Sequence, residues 1–474
     1  MCPHHTRSIL SICHCHGDLL GPAWHIVLTT LQHLVWILGL KPTAGRGGQL
    51  TSGGAGGGKE TSAVVTTAVM AELPVLASML TSLFQSTSAA LTDQSLGQLV
   101  AALISINGES LALAATNREP SLFAVAKLLE TGLVNLGRVE SWWVVVTSHL
   151  LESCSHPHAR MREWAAEAVC LLIQASLRHQ HEPALAASPR LQTLLVSPLV
   201  ELSAVPQPDI RARQLDCVMA VLHSSADCLT AGWPLLITVI GSLRPQHTEA
   251  VVKTAFQALQ LVLTDFLPLA PHNCLPLAVH TAAKFGSQTQ DLNISLTAVG
   301  LLWNLSDYFY QNQDSLKTAI IAEPKILPDL PGYKEMSVFD KLWMCLFSRL
   351  GDLCLDPRPA TRKSAGQTLF STIAAHGSLL AVSTWQAVLW QVLFPLLDKV
   401  GILLLTVTYI SPGPLWLTYI RNHHECIFRA LCWKILWIIY KCQTSRVFKN
   451  DFFFRLGLSP GWRALRSLMA AERC

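Results

Sequence analysis

The residue spacing with the plainest chemical meaning is Gly53 to Lys59, GxxxxGK, the core of a loop whose backbone amides and lysine cradle phosphates. Its context argues against that chemistry. Glu60 stands where a Ser or Thr would ligate magnesium, the preceding QLTS is no buried strand, and the glycines belong to a longer low-complexity run. A second cluster opens the chain, where Cys2, His4, His5, Cys13, His14, Cys15 and His16 are all of zinc-ligand type. A structural zinc needs pairs such as C-x-x-C on a turn, whereas neighbouring side chains in an alternating Cys-His run diverge. Trp142, Trp143, Trp164, Trp233 and Trp303 could anchor an interface, but at helical spacing they read as core. Arg160, Arg162 and Arg213 fit a basic ridge for an acidic partner or, equally well, solvated helix ends. No Ser/His/Asp or Cys/His arrangement and no carboxylate pair on a common helical face stands out. No catalytic, cofactor-binding or metal-ligating residue is therefore assigned, and no cofactor is expected.

The chain that must position such residues has 474 of them, 35 Lys and Arg against 31 Asp and Glu, a formal charge of +4 and 50% hydrophobic side chains. That composition excludes general disorder. A near-neutral balance supplies no phosphate-binding field, so nucleic acid is not an expected partner. Of 14 cysteines, Cys170, Cys217 and Cys354 sit within apolar helical patterns at no paired spacing, and no secretory leader pattern opens the chain. They read as reduced, buried, small hydrophobes. The sequons at Asn293 and Asn304 lie inside an amphipathic stretch and carry no meaning in a cytosolic chain.

Residues 1–18 read as a disordered segment and 19–43 as a helical segment of a scaffold, with Ile26, Thr30, Leu34 and Ile37 on one stripe of the buried helix from Gly21 to Leu40 and Leu31, Val35 and Leu38 beside it. Residues 44–62 contain eight glycines and form a flexible linker. From 63 to 400, apolar helical stretches alternate with short Pro, Gly, Asn or Asp breaks, and no period-two segment flanked by hairpin turns is present. A phrase recurs there, in which a turn or cap leads into a helix, from His156, Gln207, His247, Asp291 and Asp356. Aligned on Arg162, Arg213, Lys253, Ser295 and Arg362, the separations are 51, 40, 42 and 67. A period of about 40 to 47 belongs to HEAT and armadillo arrays, whose paired helices stack because neither hairpin buries its apolar face alone. The expected fold is all-α, a HEAT/armadillo-like α-solenoid of stacked helix pairs, with an insertion loop at 310–336 carrying Pro324, Pro328 and Pro331. Pro157 and Pro357, five residues before Arg162 and Arg362, mark the turn into a second helix, and Ala165 and Ala365 let helices approach closely.

Several phrases resemble one family, the Mon-two homologues, large HEAT-type scaffolds related to the large Arf guanine-nucleotide exchange factors. The carriers are GPAWHIVLTTLQHLVWILGLKP from Gly21, EPSLFAVAKLLETGLVN from Glu119, ARMREWAAEA from Ala159, TAFQALQLVLTDFLP from Thr254, LNISLTAVGLLWN from Leu292 and DPRPATRKSAGQTLFSTIAAHGSLL from Asp356. The resemblance implies a non-catalytic trafficking scaffold without a Sec-seven exchange domain, peripherally bound on the cytoplasmic face of Golgi, trans-Golgi network and early endosome membranes. It implies work with Dopey-type scaffolds and a phospholipid flippase in endosome-to-Golgi cargo recycling, and binding of an Arf-like GTPase by some members. The family's N-terminal dimerisation region has no counterpart here, and the resemblance stops near Val400.

Residues 401–474 form a divergent tail with 12 of the 35 aromatics and ten basic against three acidic residues. Val400 to Ile420 carries no charge, but Ser411-Pro412-Gly413-Pro414 breaks it midway. The +7 tail, with Ile427, Leu431, Ile435 and Ile438 on one stripe, fits an anionic leaflet or is a translated extension without an evolved fold.

Overall fold

A computed structural model describes residues 3–37, 74–115, 120–182, 184–319 and 336–399. The Gly-rich linker with its GxxxxGK phrase, the three prolines of the expected insertion and the tail after Lys399 lie outside these residues. Among the described residues every regular element is helical and no strand occurs, so the chain is all-α as its periodicity requires. They pack as two compact units, 1–239 and 240–474.

The first unit runs through α1 (Pro3–His16), α2 (Ala23–Ile37), α3 (74–82), α4 (Ser88–Ala90), α5 (Asp93–Ala114), α6 (Phe123–Val134), α7 (Trp143–Cys154), α8 (Ala159–Arg178), α9 (Pro189–Glu201) and α10 (Pro208–Ser225), with α11 (Trp233–Ile240) at its boundary. Helices α5 and α6, and α7 and α8, are hairpin partners, while α5, α7 and α9 line one layer and α6, α8 and α10 the other. The second unit holds α12 (Glu249–Leu261), α13 (Leu275–Ser287), α14 (Leu292–Gln311), α15 (Gln313–Ala319), α16 (Val338–Leu353), α17 (Pro359–His376) and α18 (Val382–Ala387). There α13 pairs with α14 and α16 with α17, while α13 packs on α16 and α14 on both α12 and α17. The five recurring phrases open α8, α10, α12, α14 and α17, so in each unit they mark one layer.

Local chemistry explains the helix starts. Thr248 and Asp291 accept from the amides of Val251 and Asn293, while Pro208 and Pro359 occupy first-turn positions where no amide is needed. Ala165 and Ala365 are fully buried, as close helix approach requires, and Trp24, Trp143, Trp233 and Trp343 are the largest enclosed side chains. Gly132 of α6 is equally constrained, because a Cβ there would lie 2.7 Å from Leu172 and 2.9 Å from the Trp142 ring.

Side chains meet the carbonyls left over at buried helix ends. Arg138 donates to Ser88 O at 2.8 Å and Leu91 O at 2.5 Å, and Arg211 to Val239 O at 2.8 Å. Arg358 donates to Gly286 O at 3.0 Å and Gln288 O at 2.6 Å, and pairs with Asp356 at 2.8 Å. The Pro-to-Arg spacing has the same meaning in both copies: Arg162 donates to Pro157 O at 2.8 Å and Arg362 to Pro357 O at 2.9 Å.

Four expectations are corrected. Residues 1–18 do not lack structure, because Pro3–His16 is a helix whose Leu10 and Cys13 are buried and whose His14 ring binds Thr87 Oγ1 and, at 3.2 Å, Met79 O. Helix α2 buries Trp24, Leu28, Leu31, Leu34 and Val35, whereas Ile26 is 70% exposed. Leu34 of the expected stripe and its neighbours Leu31 and Val35 do face inward, but Ile26 does not, because the large Trp24 takes the inward position in that turn. The expected loop at 310–336 starts later, because α14 continues to Gln311 and α15 to Ala319. Finally, counted from the helix starts, Arg211 rather than Arg213 is the register partner of Arg162 and Arg362.

Candidate functional site

The sequence candidates divide sharply once placed. Trp142, Trp143 and Trp233 are core, Trp164 and Trp303 are half-buried. Trp142 Nε1 donates to Asn135 O at 3.0 Å and Trp143 Nε1 to Leu194 O at 2.9 Å, so both indoles are satisfied internally. Arg162 pairs with Asp209 at 2.9 Å in a half-buried contact and Arg213 with Glu167 at 3.6 Å in an exposed one, and both tie α8 to α10. The Cys-His run is wound on α1, where Cys13 faces inward and Cys15 outward, while Cys2 and the side chain of His4 lie outside the described residues. Burial pushes the Cys13 thiol up to about 11 and that of Cys154 up to about 12. Cys170, Cys217 and Cys354 are buried, and Cys217 Sγ reaches Cys170 O at 3.7 Å. Asn293 and Asn304 both lie on α14, where Ser295 and Ser306 of the two sequons are buried.

A cleft that sequence reading did not find lies in the second unit, between α13 and α16 and against the turn leading into α17. Its volume is about 310 Å³. His280 and Lys284, one helical turn apart on α13, face Arg349 of α16 across it. Burial first, then the positive charges of Arg349 and Lys284, push the His280 imidazole below the usual histidine range. Two carboxylates border the cleft. Asp352 pairs with Arg349 at 3.2 Å in the open, the side chains being 58% and 39% exposed, whereas Asp356 is buried and held by Arg358. Lys284 donates one bond, to Gly241 O at 3.3 Å. Ser287 Oγ is turned onto Lys284 O at 3.0 Å, so the one hydroxyl in the lining is not placed beside a base. The arrangement offers hydrogen-bond donors and positive charge, which is equipment for holding an anion. Each contributor is ordinary alone, and the signal available in the sequence was only the His280/Lys284 spacing in a chain with 14% charged residues.

A smaller hollow of about 180 Å³ lies between α6 and α8 in the first unit, lined by Val125, Leu129, Trp164 and Glu167. It is apolar apart from Glu167, which Arg213 engages.

Two layers of paired helices, with ends capped by buried side chains, define a helical-repeat protein. The family profile for the C-terminal region of Mon2 protein matches residues 264–409, and the Mon2/Sec7/BIG1-like HDS profile matches residues 179–261. The chain is 57% identical over 394 residues to the Protein MON2 homolog of Drosophila melanogaster, covering 83% of this chain and 23% of that protein. It is 52% identical over 457 residues to the Homo sapiens Protein MON2 homolog, covering 94% of this chain and 26% of that one. A more distant likeness, 22% over 302 residues, covering 59% of this chain and 17% of that protein, links it to Brefeldin A-inhibited guanine nucleotide-exchange protein 2 of Arabidopsis thaliana. The chain belongs to the Mon2 family, and spans about a quarter of the length of these two MON2 relatives.

Proposed function

We propose that this chain is a non-catalytic scaffold segment in membrane trafficking between endosomes and the Golgi, acting in sorting and retrograde recycling of cargo. The observation that carries the reading is the MON2 likeness, which extends over both units at more than half identity. The all-helical stack supports it, because paired helices expose long surfaces without needing a reactive pocket. Of the two matched profiles, the Sec7-related one is the HDS region rather than a Sec7 exchange domain, which supports binding over catalysis. On this reading the partners are Dopey-type scaffolds, a phospholipid flippase and an Arf-like GTPase. The chain works on the cytoplasmic face of Golgi, trans-Golgi network and early endosome membranes, and associates with them peripherally.

The test is proximity labelling with the full chain in cells, followed by pull-down with purified protein. Dopey-type proteins enriched over a scrambled-helix control are the expected result. Their absence, together with nucleotide release from an Arf GTPase stimulated by the purified chain, would replace the scaffold reading with an exchange-factor one, which the likeness to the Arabidopsis exchange protein makes the natural second reading.

A further inference from the structure

We infer that the cleft between α13 and α16 is a binding site for a phosphoryl group, held by Lys284 and Arg349 with His280 as a third donor. Lys284 and Arg349 bring like charges together on facing helices, beside His280. Only 14% of the residues are charged, yet three basic side chains from two helices converge on one hollow of about 310 Å³. The neighbouring carboxylates do not cancel them. Asp356 is committed to Arg358 inside the turn, and Asp352 meets Arg349 in an exposed pair of the kind that contributes little and yields readily to a competing anion. Arg349 gives Asp352 a single terminal nitrogen, which leaves the rest of its fork to meet a tetrahedral anion, and Lys284 retains donors beyond its long bond to Gly241 O. The hollow exceeds what a bare phosphate fills, so the fit is to a phosphate monoester carrying a small polar body.

Histidine supplies the diagnostic. His280 is crowded by Lys284 on its own helix and Arg349 on the facing one, with Asp352 beyond Arg349 and Asp356 in the bordering turn already paired. An entering dianion reverses the sign of that field, so the imidazole takes up a proton as the ligand binds. Affinity then rises as pH falls from about 7.5 to 6.5, above the point near 6 where the ester itself takes up a proton and loses its second charge. None of this depends on the trafficking reading, since it concerns one cleft and its charge.

The experiment titrates the full chain with glycerol 3-phosphate by calorimetry at several pH values, and in parallel measures co-sedimentation with phosphatidylcholine vesicles with and without phosphatidic acid. The expected result is saturable glycerol 3-phosphate binding that tightens as pH falls from about 7.5 to 6.5, where the ester is still largely a dianion. Lys284→Ala and Arg349→Ala should each weaken it about tenfold, and His280→Gln should flatten the pH dependence. Phosphatidic acid-dependent sedimentation that falls in the same variants assigns the source to a lipid headgroup, while soluble binding alone assigns it to a free phosphate ester. All three side chains are at least partly exposed, so unchanged helical circular dichroism should accompany the loss. Undetectable glycerol 3-phosphate binding with vesicle binding indifferent to these variants overturns the site, as does preference for an acidic peptide over the phosphate ester.

Discussion

At the residue scale the structure is held by polar side chains that answer helix ends, and the clearest case is Arg358. It meets two carbonyls at the end of α13 and the buried carboxylate of Asp356. Arg358→Ala removes all of these partners at once and should cost about 3 kcal/mol in chemical denaturation, because a buried charge left alone keeps its desolvation penalty. A loss under about 0.5 kcal/mol would show water replacing the guanidinium without penalty. His149 gives a pH prediction. Asn107 Nδ2 lies 2.8 Å from His149 Nε2, a bond that needs a neutral ring accepting at that nitrogen, and burial holds the imidazole below the usual histidine range. The unfolded chain then binds the proton first, so stability is complete above the ordinary histidine value and declines as pH falls below it. His149→Gln should reduce that decline relative to the parent chain, and parallel stability-pH curves would refute the assignment. Thiol reactivity follows from the same physics. Among the described cysteines, Cys15 and Cys228 are exposed and should alkylate in the native state, whereas Cys13 and Cys154, buried with raised pKa values, should label only after denaturant is added. Peptide mass spectrometry of pulse-labelled protein checks this.

At the element scale the contacts that matter are close approaches between layers. Gly132→Ala puts a methyl into the space of Leu172 and the Trp142 ring. Leu172 can rotate, but the indole is pinned by its bond to Asn135 O, so the substitution should cost about 1 to 3 kcal/mol. A melting temperature equal to that of the parent chain would mean the ring is free to tilt. How much of this was legible in the sequence depends on the range of the interaction. Helix starts are local events, and the Pro-to-Arg turns at 157 to 162 and 357 to 362 could be read from spacing alone. Choosing the buried face of α2 could not be done by counting apolar residues, since Ile26 is as apolar as Leu31 and only packing separates them. Pro3–His16 was missed because its strength is borrowed: His14 binds residues 65 and 73 positions away. The cleft was missed for the same reason, because Arg349 joins His280 and Lys284 only through the pairing of α13 with α16.

At the scale of the molecule, each unit is built so that a helix touches its hairpin partner and its neighbours in its own layer. Cooperativity in such a stack extends only through nearest-neighbour interfaces. Urea unfolding should accordingly depart from a single two-state transition, with tryptophan fluorescence and circular dichroism tracing different curves. Superimposable curves with a slope proper to the full chain length would contradict it. The short reach of these interfaces also bears on how the protein is made. A helix pair of this period emerges from a ribosome in a few seconds at about 5 to 20 residues per second, whereas helix formation takes on the order of a microsecond. Translation is the slow step, and within each unit every new pair meets a finished neighbour on arrival. Past α1 and α2, which wait for the helices from α3 to α5, the nascent chain therefore holds no long unsatisfied apolar segment for a distant partner, and it grows by accretion, exposing one unfinished interface at a time.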